Sequence, residues 1–199
     1  MVEAGLMVAV DTRRAAVMAA ALEAGAKIIN DVSALTADPD SLSVLARSQA
    51  PVVLMHMQGT PETMQQAPAY DHVALDIFDY LEQRIEACQA AGIARHRLIV
   101  DPGIGFGKTV AHNLQILKDV SLFHALGCPL LIGLSRKLFI ARLSAGEVAE
   151  ARLPGSLAGA LYAISQGVQI VRVHDVRETK QAFKVWQAIN GDILGTESA

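Results

Sequence analysis

Leu98-Ile99-Val100-Asp101-Pro102-Gly103-Ile104-Gly105-Phe106-Gly107-Lys108 reads as a strand that runs into a ligand-holding loop. Three consecutive aliphatic residues predict a strand covered on both faces, the signature of a parallel sheet. Asp101 stands where that strand ends, and Pro102 with Gly103, Gly105 and Gly107 forbids any regular continuation. Glycines leave no Cβ in the way, so backbone can come close to a ligand. Two nucleotide motifs fail here on spacing. A P-loop ending in Gly107-Lys108-Thr109 would need glycine at Pro102, and a dinucleotide fingerprint from Gly103 would need glycine at Lys108. A glycine-rich connection that only turns the chain is the remaining bland alternative.

The same order of strand, polar residue and helix recurs on either side. Val8-Ala9-Val10 ends at Asp11-Thr12 before a helix over Arg13 to Ala24, and Lys27-Ile28-Ile29 ends at Asn30-Asp31 before one over Ser41 to Ser48. Pro51 to Met55 ends at His56, and a polar loop from Gln58 to Pro68 leads to a long helix with Val73, Ile77, Phe78, Leu81, Ile85 and Cys88 on one face. After Asp101 a helix is expected over Ala111 to Ala125. Leu130-Leu131-Ile132 then ends at Gly133-Leu134-Ser135-Arg136-Lys137, with helical stretches at Phe139 to Leu143 and Gly155 to Ser165. Last, Gln169 to Val173 ends at His174-Asp175, and a closing helix should turn Ala182, Val185, Trp186 and Ile189 inward.

Six strand-helix units with functional groups at every strand end favour a closed (β/α)8 TIM barrel over an open sheet, where ligand contacts gather at one switch point. Eight units are the norm, so the chain reads as the last six, in one domain over residues 1–199 with a loose tail at Asn190 to Ala199.

Composition narrows the function. With 17 basic against 20 acidic residues the net charge is -3, which offers no broad basic face and no nucleic-acid partner. Cys88 and Cys128 form no Cys-x-x-Cys pair, which fits neither a zinc site nor a disulfide framework and suits a reducing cytoplasm. The longest uncharged run, Leu153 to Val171, includes Pro154, Gly155, Ser156, Gln166 and Gln169, too interrupted to span a membrane. Met1 to Val10 lacks the pattern of a signal peptide.

If the strands are parallel, Asp11, Asn30, His56, Asp101, Ser135, Lys137, Arg172 and His174 meet at one mouth. Read singly, Asn30 could cap a turn, His56 could be a satisfied core histidine, and Asp31 and Asp175 could be helix N-caps. Their convergence is harder to explain as packing. In sequence, Val-Asp-Thr at 10–12, Gly-Ala-Lys-Ile-Ile-Asn-Asp-Val at 25–32, Met-His-Met-Gln-Gly-Thr-Pro at 55–61, Asp-Pro-Gly-Ile-Gly-Phe-Gly-Lys at 101–108, Gly-Leu-Ser-Arg-Lys at 133–137 and Arg-Val-His-Asp-Val at 172–176 resemble the dihydropteroate synthase family. The likeness runs from Val8 to Ile189 and lacks that family's N-terminal portion.

The resemblance implies joining of 4-aminobenzoate to 6-hydroxymethyl-7,8-dihydropterin diphosphate with release of pyrophosphate, by a homodimer that uses magnesium and is a sulfonamide target. It implies that Asn30, Asp101, Phe106, Gly133 and Lys137 hold the pterin, with Asp11 and Arg172 beside it. Ser135 and Lys137 would border 4-aminobenzoate, and Arg172 and His174 would take the diphosphate. Asp11, Lys137, Arg172 and His174 are the expected catalytic set. No metal ligand is assigned, because the family's lies in the absent portion. A pterin-binding methyltransferase of the same architecture would share the pterin residues without needing Arg172 and His174, and a non-catalytic fragment is the third alternative.

Overall fold

The structure is a computed structural model that describes residues 2–60, 63–64 and 66–191. Six strands alternate with helices: β1 (Ala9–Asp11), α1 (Ala15–Glu23), β2 (Ile28–Asp31), α2 (Ser41–Ala46), β3 (Val52–Met55), α3 (Val73–Ala90), β4 (Leu98–Asp101), α4 (Val110–Lys118), β5 (Leu131–Ile132), α5 (Leu138–Leu143), α6 (Leu153–Ser165), β6 (Ile170–Val171) and α7 (Val176–Ile189). All pairings are parallel. β1, β2, β3 and β4 lie side by side in chain order, β5 pairs with β6, and a bridge from Val100 to Leu130 joins the two sheets.

Among the described residues this order never reverses, which leaves no switch point of the doubly wound kind there. The six units form an arc of a (β/α)8 barrel whose ring is left open between β1 and β6. At the mouth Arg172, just past β6, reaches Asp11 at the end of β1 with an ion pair of 2.5 Å.

Two apolar layers follow from strands buried on both sides. Outside the arc, Ile29, Leu54 and Val100 pack with Met18, Leu45, Ile77, Leu81, Ile85 and Phe123 from the helices and the α4–β5 connection. Inside it, Val53, Ile99 and Leu131 form a smaller cluster, flanked by half-buried Ile28 and Ile170. Period-two alternation sends Val52 and Leu54 outward and Val53 inward.

Two expected elements differ. The helix expected over Ala111 to Ala125 stops at Lys118 and continues as a 3-10 turn over Val120–Leu126. Val120, Phe123 and Leu126, the buried residues there, are spaced by three, which a 3-10 turn puts on one side. The closing helix forms, but Val185 and Ile189 are 56% and 78% exposed rather than inward. Thr179 is its one buried residue among those described. Of the expected tail, residues 192–199 lie outside the described residues, and Asn190 caps α7.

Candidate active site

The polar residues that end the strands gather at the C-terminal mouth. Asn30, Asp101, Phe106, Gly133, Ser135, Lys137, Arg172 and His174 all line one cavity of about 180 Å³. Asn30 and Asp101 are buried by the neighbouring strands. The Asn30 amide donates through Nδ2 to Asp11 Oδ1 at 2.9 Å, while its Oδ1 is buried without a hydrogen-bond partner. An orphaned acceptor beside a cavity calls for a donor from a ligand. Among the described residues, the Asp101 carboxylate accepts one hydrogen bond, from Gly103 N at 2.7 Å. Ser135 Oγ lies 3.2 Å from the His174 backbone N–H and 3.1 Å from its Nδ1, which sets the direction of that imidazole.

The loop after β4 is fastened by side chains from several elements. Gly105 N donates to Asn113 Oδ1 of α4 at 2.7 Å, and Gly107 O accepts from the Tyr70 hydroxyl at 2.7 Å. Phe106 O accepts from Lys108 Nζ at 2.8 Å, and Ile104 O accepts from Lys137 Nζ. Lys137 Nζ also stands 4.3 Å from the centre of the Phe106 ring, a cation–π contact. Glycine is required at 103, where φ is 71° and a Cβ would overlap the His56 carbonyl oxygen. Phe106 borders a second cavity as well, of about 560 Å³, with Lys137, Leu138 and Arg142 on its other side.

Burial sets the charge balance. It pushes the Asp101 carboxyl upward, against the pull of Lys137, Gly103 N–H, Lys108 and Arg172. Burial pulls Lys137 down to about 8 and Lys108 down to about 7, in both cases against Asp101. Two ammonium groups with depressed proton affinity therefore face one carboxylate whose affinity is raised.

The site lies in a chain whose residues 2–174 match the family described as pterin binding enzyme. The dihydropteroate synthase of Escherichia coli (strain K12) is 45% identical over 181 residues, which are 91% of this chain and 64% of that protein. The chain belongs to the dihydropteroate synthase family of pterin binding enzymes. It spans less than two thirds of the length of the first such relatives. Dihydropteroate synthase from Xanthomonas albilineans in complex with 7,8-dihydropteroate superposes with a TM-score of 0.87 at 45% identity, covering 94% of this chain and 69% of that one. The Yersinia pestis dihydropteroate synthase in a sulfonamide drug complex gives 0.89 at 44% identity, over 93% and 67%.

Of the residues expected at the mouth, the cavity gathers all except His56 and Asp11, the latter one step away through Asn30 and Arg172. His56 is turned elsewhere. Its ring lies edge-on to Tyr80 at 4.9 Å and near Tyr70, burial drops it to about 3, and it is the satisfied core histidine that was the alternative reading. Asp31 caps no helix: it accepts from Ser33 N and Oγ and from Leu35 N, pinning the loop after β2. Asp175 occupies the N-cap position of α7 without a side-chain cap bond, because it pairs with Arg136. Arg136 adopts φ 58°, held by Ser156 Oγ on its N–H and Arg152 on its carbonyl.

Sequence reasoning missed Lys108 and Arg97. Arg97, 5% exposed, donates to the carbonyls of Leu45 and Ala50, fixing the turn into β3. The signal for Lys108 is a lysine closing the glycine run, which in sequence ends both a failed nucleotide motif and the family-like stretch 101–108 without a role of its own. Among the described residues no three of His, Cys, Asp and Glu gather. Asp11 is already committed to Asn30 and Arg172.

Proposed function

We propose that this chain, as one pterin-binding domain over residues 1–199, carries the pterin and diphosphate sites of a dihydropteroate synthase. In that reaction 6-hydroxymethyl-7,8-dihydropterin diphosphate and 4-aminobenzoate yield dihydropteroate and pyrophosphate. The observation that carries the reading is the pair of buried acceptors, Asn30 Oδ1 and the Asp101 carboxylate, on one small cavity. An aminopyrimidinone presents adjacent N–H donors, and two donors facing a carboxylate form a bidentate pair. Phe106 and Gly133 give the flat ring its walls, and Lys137 supplies a donor at the rim. Ser135, which lines the smaller cavity, and Lys137, which borders both, serve the second substrate.

In the chemical step the methylene C–O bond breaks, and diphosphate leaves with the bonding pair. The amine of 4-aminobenzoate forms the C–N bond and then loses a proton. Negative charge grows on the leaving group, which Arg172 and His174 stabilise, and positive charge grows on the carbon, which Asp11 stabilises. No step here runs through magnesium. The same reading includes a homodimer, supported by the exposed apolar groove of Leu114, Leu143 and Tyr162. It also includes a cytoplasmic setting, supported by free Cys88 and Cys128. No described helix is long and apolar enough to cross a membrane. The test is calorimetric titration with 6-hydroxymethyl-7,8-dihydropterin, followed by 31P detection of pyrophosphate with both substrates. Absence of pterin binding refutes the reading, and binding without pyrophosphate restricts the chain to a pterin-holding fragment.

A further inference from the structure

We propose that Lys108 is a positioning residue, which holds the Phe106 wall between the two cavities by bolting the glycine-rich loop to the end of β3. The inference rests on the pterin reading for its effect on ligand, and on geometry alone for its effect on the loop.

Lys108 is only 2% exposed. Its ammonium has three N–H donors, and three acceptors surround it: Phe106 O at 2.8 Å, His56 Nδ1 at 3.0 Å and His56 O at 3.4 Å. All its donors are spent inside the protein, so it cannot serve a ligand without breaking one of these bonds. The acceptor role of His56 Nδ1 requires a neutral imidazole, which burial and the neighbouring ammonium enforce. That ring is in turn fixed by Tyr70 and Tyr80, and His56 N donates to Asp101 O at 3.0 Å. Lys108 thus ties a loop carbonyl to a strand end that is itself tied to the backbone carbonyl of Asp101, the residue whose side chain lines the smaller cavity. The residue whose carbonyl it holds is Phe106, whose ring carries the Lys137 ammonium and borders both cavities.

The charged and titratable groups facing Lys108 are Asp101 from β4, His56 from the end of β3 and Lys137 from the start of α5. Asp101 retains its proton on Lys108, while burial and Lys137 remove it. A neutral amine has two N–H donors for three acceptors, so deprotonation weakens the bolt without cutting it.

The test uses the whole chain labelled with 4-fluorophenylalanine at its five phenylalanines, the Phe106 signal being assigned with Phe106→Leu. In the unaltered protein the Phe106 19F resonance should move in two steps, one near pH 7 from Lys108 and one near pH 8 from Lys137. Lys108→Met should lose the lower step and keep the upper one. Lys108→Arg, permanently charged, should also lose the lower step but keep the low-pH position of the resonance. At pH 6 the Kd for 6-hydroxymethyl-7,8-dihydropterin should rise about tenfold in Lys108→Met, with most of the loss restored in Lys108→Arg. A folded Lys108→Met with the unaltered resonance profile and Kd overturns the proposal. Should Lys108→Met fail to fold, a folded Lys108→Gln with the unaltered Phe106 resonance and pterin Kd overturns it equally. If the unaltered protein binds no pterin, the proposed function fails, while the resonance still decides the role of Lys108.

Discussion

β3 and β4 differ from β6 in a way that local sequence does not explain. Each of the three is built on apolar residues, with Asp101 closing β4, yet every residue of β3 and β4 is buried and both residues of β6 are only half-buried. The difference lies in their neighbours: β3 and β4 are paired on both edges, whereas β6 is paired with β5 alone. The helices repeat the contrast. α3 seals Ile77, Leu81 and Ile85 against the closed half, but α7 leaves Val176, Val185 and Ile189 in solvent. An apolar stripe states what a helix can cover; the presence of a partner decides whether it does. The site is divided along the same line, with buried Asn30 and Asp101 from the closed half and exposed Arg172 and His174 from the open arm.

The largest effect that could break this contrast is on stability. Leu54→Ala removes a fully buried side chain from the closed half and should cost about 4 kcal/mol, against about 1 kcal/mol or less for Val171→Ala at the half-buried edge. Urea unfolding of both variants checks the ratio, and equal losses would show that the open arm is as tightly packed as the closed half. Next comes the ligand. Asp101→Asn keeps the volume but turns an N–H toward the pterin's donors, so calorimetry should show affinity falling by about 2 to 4 kcal/mol.

A smaller effect concerns pH. Lys108 and Lys137 release their protons near 7 and 8 when folded, well below the ordinary lysine value that the unfolded chain retains. From pH 7 to 9 the unfolded chain therefore binds more protons, and stability should rise with pH, by up to about 1 kcal/mol per unit from each group. Below pH 7 both states are protonated and that contribution is flat. Thermal melts should show a shallower rise in Lys108→Met than in the unaltered protein. Smallest is Arg172→Ala, on the open arm. It should weaken the pterin diphosphate by about 1 kcal/mol more than the unphosphorylated pterin, a gap that parallel titrations would reveal.

The order of six units was legible because each strand stops at a polar residue that a buried strand would not carry, and Asp11, Asn30, Asp101 and Ser135 all stand at such stops. The loop after Asp101 was legible because Pro102 and three glycines leave few alternatives. What escaped depends on contacts distant in sequence. His56 follows its strand as Asp101 ends its own, but Tyr80, from a helix 24 residues on, turns it into the core. Lys108 looked like loop punctuation, since only the folded chain brings it to His56, 52 positions away. The expected inward face of α7 failed although its periodicity is real, because Val185 and Ile189 meet solvent rather than another element.

The contact between Asp11 and Arg172 joins the first strand to the last, and both side chains are about half or more in solvent. Such a pair contributes little, about 1 kcal/mol or less. Its value lies in being exchangeable. A guanidinium shared between a carboxylate and an arriving dianion will change partners at small cost, because the stronger negative charge wins. Under the proposed function, a diphosphate that drew Arg172 away would leave the Asp11 carboxylate without its counter-ion before the C–O bond breaks. On that reading the clasp between the first and last strands would also couple the leaving-group end of the site to the reacting centre, switched by what occupies it.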